Sequence, residues 1–159
     1  MTEDHLAAPT PLEEHRKLKV FAGEWSGEEM VYPSRWTQGG AATSRVTARI
    51  DLNGFYLIQD ARQTRDGKES FATHALFTYD REDRLYKLFW HDSLGYLPPS
   101  PASGSWVGKT LTLVRGSLRG NARHVYEIAD DNSYSMKIQF SPDAEGWSDV
   151  LTGVYKRIS

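Results

Sequence analysis

The sequence predicts a mainly β protein: an antiparallel up-and-down barrel of about ten strands, with a short N-terminal helix closing one end. Three observations carry this. From Glu24 onward, apolar and polar residues alternate with a period of two in about ten segments separated by turn residues. No long helical pattern interrupts them, so successive strands run antiparallel. Finally, Trp25 opens the first segment and Arg157 stands near the end of the last. In an up-and-down sheet with an even number of strands, both residues fall at the same end. A guanidinium on an indole face is favourable by roughly 1 kcal/mol, so closure has a seal in the sequence itself.

Taken in order, residues 1–10 are polar and carry Pro9, and read as a flexible tail before a single domain, 11–159. Thr10 is placed to cap a helix with Pro11 at its first position. Leu12, Leu18 and Phe21 give it a partial apolar stripe, with Glu13 and Glu14 at the front and Arg16, Lys17 and Lys19 behind, as the helix dipole favours. Gly23 ends it. The strand segments follow at 24–32, 41–50, 54–64, 70–79, 85–92, 103–108, 110–115, 121–129, 133–141 and 147–158. Asn53-Gly54 and Asp66-Gly67 are hairpin turns. Pro33–Gly40 is a loop, and 80–83, 130–132 and 141–146 are polar turns.

Alternation sorts the faces. Val46, Ala48 and Ile50 point in from the second strand. Tyr86, Leu88, Trp90 and Asp92 do so from the fifth, and His124, Tyr126 and Ile128 from the eighth. Tyr134, Met136, Ile138 and Phe140 share the inner face of the ninth. The third strand is apolar on both faces at its start and is left unassigned.

Composition narrows the function. The chain has 159 residues, a net charge of -2 and no cysteine. Disulfides and cysteine-type zinc sites are thereby excluded. Lysines and arginines are dispersed, without the basic stripe of a nucleic-acid binder. The first residues lack the basic start and apolar core of a signal peptide, and no apolar run reaches bilayer length. The expectation is a cytoplasmic protein, without nucleic-acid or membrane partners.

Several short motifs, in this order, resemble a known family. They are His15, Gly23-Glu24-Trp25, Phe77-x-Tyr79-Asp80, Trp90-x-Asp92-Ser93, Lys109-Thr-Leu-Thr-Leu113, Trp147 and Thr152-Gly-Val-Tyr155-Lys-Arg157. Gly23, Trp25 and Arg157 are similar to the structural signature of the calycins, the lipocalin-like barrels. The whole set resembles a bacterial domain-of-unknown-function family of lipocalin-like proteins, and the resemblance implies the fold rather than an activity. The opening Gly23-Glu-Trp25-Ser-Gly27-Glu, with Tyr32-Pro33, is also similar to the nitrobindin-type haem barrels. Those hold iron through a histidine near the C-terminus. The last strand here has none, and His124 is the nearest upstream.

The candidate ligand-binding residues are Trp90, Asp92, His124, Tyr126, Tyr134 and Met136, with Trp106 as a further wall. His124 and Asp92 would orient a small hydrophobic or amphipathic molecule held among the aromatics. An alternative is an enzyme moving a proton with Asp92 and His124 or His74. Another is a structural barrel packed solid by its own side chains. No metal site is expected, because no His-x-His or Glu-x-x-His spacing occurs; no cofactor and no catalytic residue are assigned. Leu94–Gly104, stiffened by prolines, reads as a lid or a surface loop. That loop or an exposed strand edge could pair two copies as a homodimer.

Overall fold

A computed structural model describes residues 7–159. Residues 7–12 form neither helix nor strand, and the remainder of the expected tail, 1–6, lies outside the described residues. Helix α1 (Glu13–Arg16) is a single turn, continued by a 3₁₀ turn, Lys17–Phe21. The start differs from expectation, since Leu12 and not Thr10 takes the N-cap position. The reason is His15: its Nδ1 accepts the Leu12 amide at 2.9 Å, so a ring nitrogen supplies the cap. His15 is buried edge-on against Phe55 and Tyr79, which explains a histidine in this motif.

Ten strands follow: β1 (Gly23–Val31), β2 (Gly40–Asp51), β3 (Tyr56–Arg65), β4 (Lys68–Asp80), β5 (Leu85–Asp92), β6 (Ala102–Val107), β7 (Thr110–Ser117), β8 (Gly120–Asp130), β9 (Ser133–Ser141) and β10 (Ser148–Arg157). Each pairs antiparallel with its chain neighbours, and β10 pairs with β1 to close the barrel. The Asp66-Gly67 turn has both residues at positive φ, as a tight hairpin requires.

The closed end is built as the sequence implied. Trp25 sits opposite Arg157 in the β1–β10 register. The Arg157 guanidinium lies 4.2 Å from the Trp25 ring centroid and donates to the carbonyls of Ala22 (2.6 Å) and Asp131 (3.0 Å). The Trp25 indole N–H donates to the Phe21 carbonyl at 3.0 Å. Gly23 makes this corner possible: its φ is +126°, and a Cβ there would come within 2.4 Å of the Arg157 Nη1. Phe21 then drives into the core against Phe77, Trp106, Tyr126 and Tyr134. Trp106 therefore belongs to the helix-covered end.

The inner faces of β2, β5 and β8 are as alternation assigned them, and β3 now resolves: Leu57, Gln59, Ala61 and Gln63 are on the inner side, while Ile58 is nearly buried on the outer. Phe140 is a correction. It has the inward parity of β9 but is 38% exposed. It stands at the rim, where the edge of its ring lies against Gly120, close enough that a Cβ there would be 2.6 Å away.

Candidate ligand site in the open half of the barrel

Below the aromatic layer around Phe21 the barrel is not completely filled. Toward the open end lies a cavity of ≈ 390 Å³ of unfilled space including its opening, within which ≈ 30 Å³ can hold the centre of a water molecule. That is room for about two waters. Trp90, Tyr126, Tyr134 and Met136 wall it, four of the six residues singled out from the sequence. The Tyr126 hydroxyl is buried and has no hydrogen-bond partner among the described residues.

The polar side of the cavity was not legible as such in the sequence. Glu29 on β1 is 8% exposed and faces inward. Gln63 Nε2 donates to its Oε1 at 2.9 Å, and the Tyr155 hydroxyl donates to its Oε2 in a very short hydrogen bond. Ser70 Oγ donates in turn to Gln63 Oε1 at 2.9 Å, which fixes the amide orientation. Ser44 and Gln59 complete this side of the lining. Tyr155 can reach Glu29 because it lies across two glycines. A Cβ on Gly27 would stand 2.5 Å from its ring, and one on Gly153 2.4 Å from its hydroxyl. Tyr134 stacks on its other side at 4.8 Å.

Burial pushes the Glu29 carboxyl above its ordinary 4.5, against the pull of its two donors. Burial also raises Tyr155 well above 10.0, with the neighbouring carboxylate adding to the shift. The folded state thus holds a Glu29 proton that the unfolded chain has already released. Stability therefore falls as pH rises from about 4.5 through the folded-state pKa of Glu29, by up to ~1.4 kcal/mol per unit across that window. Glu29→Gln should remove this slope. Urea unfolding of both proteins between pH 4.5 and 8 measures it, and parallel stability curves would refute the assignment.

His124 and Asp92 are brought near each other, though at a different place. Neither lines the cavity. Strand β6 pairs with β5 only from Tyr86 to Leu88, so the outer part of β5 has no ladder partner on that side. Side chains occupy the seam. Trp90 donates from Nε1 to Asp92 at 2.8 Å and packs on the His124 ring at 4.8 Å. Arg115 Nη1 approaches His124 Nε2 at 3.5 Å; burial lowers its pKa, against the pull of Asp92. Burial, then the Arg115 charge, push the His124 imidazole down to about 3, so it stays neutral. The tautomer that suits an Nε2 facing a donor carries its proton on Nδ1, which has no hydrogen-bond partner among the described residues. Asp92 also accepts the Leu94 amide at 2.9 Å, the bonding of a strand-end turn.

At the rim, Tyr96 packs edge-on against Trp36 of the first mouth loop at 5.9 Å, and Arg119 covers its face at 4.6 Å. No residue of 94–101 lines the cavity, and Leu97 is 79% exposed. On the outer surface, His74 Nδ1 pairs with Asp60 at 2.5 Å, across the wall from Asp92 and the cavity. No group of three or more metal-ligating side chains converges among the described residues. No helix there is long and apolar enough to cross a membrane.

Comparison with known proteins agrees with this architecture. The fold is similar to that of Rv2717c from M. tuberculosis, with a TM-score of 0.67 and 14% identity over 93% of this chain and 99% of that one. It is also similar to the S-type phycobiliprotein lyase CPES from Guillardia theta, with a TM-score of 0.64 and 10% identity over 94% and 99% of the two chains. No curated protein matches the sequence. The family described as a protein of unknown function (DUF1579) matches residues 10–157. With its closed ten-strand ring and its Gly23–Trp25–Arg157 seal, the chain therefore belongs to the DUF1579 family and has a lipocalin-like, calycin barrel.

Proposed function

We propose that this protein holds a small hydrophobic or amphipathic molecule inside its barrel. The observation that carries the reading is the incompletely filled open half, where Trp90, Tyr126, Tyr134 and Met136 face the same space and the Tyr126 hydroxyl lacks a partner. Apolar walls drive burial at about 25 cal/mol per Å², and a few polar groups orient the guest. In this reading Asp92 and His124 act indirectly, holding Trp90 in the wall from behind. The proton-transfer alternative requires both groups at one enclosed space, and neither lines the cavity. The setting we propose is the bacterial cytoplasm, without nucleic-acid partners; the absence of cysteine and the dispersed basic residues support it.

The small free space in the cavity favours a second reading, a structural barrel filled by its own aromatics. Native mass spectrometry of the protein purified from its own cells separates the two. Binding predicts an extra mass that is lost on denaturation and is missing from Ala61→Phe, which fills the cavity from β3. A bare polypeptide mass from the wild type overturns the binding reading. The same spectrum reports whether the protein travels as a homodimer.

A further inference from the structure

Every ionisable wall group of the cavity is an acid or a phenol. Among the described residues, no lysine, arginine or histidine lines it. Glu29 is nevertheless buried there, and its two bound donors, Gln63 and Tyr155, are both neutral. A carboxylate has about four acceptor sites, so two donors leave lone pairs free. A buried carboxyl without a counter-charge answers by holding its proton, as Glu29 does, and a cation beside it would favour the ionised form. Tyr134, Tyr126 and Trp90 line the same cavity, and aromatic rings attract cations. The carboxylate has no counter-charge in the lining, and its surroundings are those that suit one.

We infer that the barrel selects a guest with a protonated nitrogen, an aliphatic ammonium seated on the free lone pairs of Glu29 with its apolar part along Trp90 and Met136. This rests on the binding reading above and specifies the guest's chemistry. The Tyr126 hydroxyl, which has no acceptor among the described residues, is available to a guest oxygen or a water beside the ammonium. Carboxylate guests are disfavoured, because they would meet Glu29 with like charge and find no cation.

The affinity is coupled to pH. The titratable side chains packed against Glu29 are Tyr155 from β10 and, next to it, Tyr134 from β9 and Tyr126 from β8, all held neutral by burial. From outside, the groove beside Glu29 is bordered by two acids, Glu28 and Asp66, and two bases, Arg65 and Lys137. Ammonium binding therefore strengthens as Glu29 ionises and weakens again as the amine loses its proton near pH 10, the range of an ordinary aliphatic amine.

Calorimetric titration with methylamine and ethylamine, which match the small free space, against the matching alcohols and carboxylates, tests this. At pH 8 the amines should bind at least about tenfold more tightly than the alcohols, and the carboxylates more weakly still. Glu29→Gln should bring the amine-to-alcohol ratio close to one. If that variant does not fold, the wild-type affinity for amines must still rise with pH through the Glu29 titration while that for alcohols stays flat. Alcohols or carboxylates binding as well as amines would overturn this inference and leave the barrel a binder. No binding by any of the six compounds at millimolar concentration would overturn both.

Discussion

Trp25→Ala is expected to lower the free energy of unfolding by about 4 kcal/mol, the largest loss from truncating a single side chain in this chain. The residue is 1% exposed and stands edge-on to Tyr134 at 4.8 Å. Its removal leaves a cavity at the helix-covered end and deprives the Phe21 carbonyl of its donor. It also strips the guanidinium of Arg157 of the ring beneath it. Trp25→Phe should recover much of the packing but not the indole bond, for a loss of about 1–2 kcal/mol. Arg157→Ala should act on the same site, so that double substitution costs less than the sum of the two. Urea unfolding of the three single variants and the double variant measures this. A loss below about 1 kcal/mol for Trp25→Ala would mean the seal contributes little to closure.

Gly104→Ala is expected to be nearly as damaging, at about 3 kcal/mol, although it only adds a methyl group. A Cβ there would lie 1.6 Å from the Thr112 carbonyl oxygen and 2.7 Å from its carbon. These are backbone atoms of the paired strand, so no rotamer change relieves the overlap. The β6–β7 ladder must shift, and with it the three-residue pairing that joins β6 to β5. Gly146→Ala is the control: an added Cβ meets nothing within 4 Å, and the change should stay within about 0.5 kcal/mol. Equal unfolding midpoints for the two variants would show that the sheet yields at Gly104 without cost.

The strands were readable because a half-buried strand advertises itself twice, in alternation and in its turns. Asp66-Gly67 and the Val46–Ala48–Ile50 face show both signals at work. The Trp25–Arg157 contact was readable because parity in an up-and-down barrel is arithmetic. The helix start was misread because local rules favour a Thr-Pro cap, whereas His15 supplies its ring nitrogen only once Phe55 and Tyr79 hold it in place. The polar side of the cavity was missed for a related reason. Glu29, Gln63 and Tyr155 come from β1, β3 and β10, and nothing local in any of them signals that they meet. Alternation from Trp25 sets Glu29, not Glu28, on the inner face, but a carboxyl there gives no local sign of what would receive it. Only the closed ring, with Gly27 and Gly153 making way for Tyr155, brings it a hydroxyl donor. His124 and Asp92 were rightly placed on the inner face, but alternation says nothing of depth along the barrel. It could not foresee that a short β6 would gather them at a seam.

That short strand has a further consequence. A ring of strands is protected from other chains only where every backbone donor and acceptor is engaged, and the β5–β6 join stops at Leu88. Beyond it, β5 carries a stretch of partly unsatisfied edge, the kind of backbone that nucleates sheet growth between molecules. The chain leaving that edge carries Pro98, Pro99 and Pro101, none of which has an amide hydrogen to offer an incoming strand. The proline-rich connection thus offers fewer backbone donors to an incoming strand at the join where the barrel is least complete.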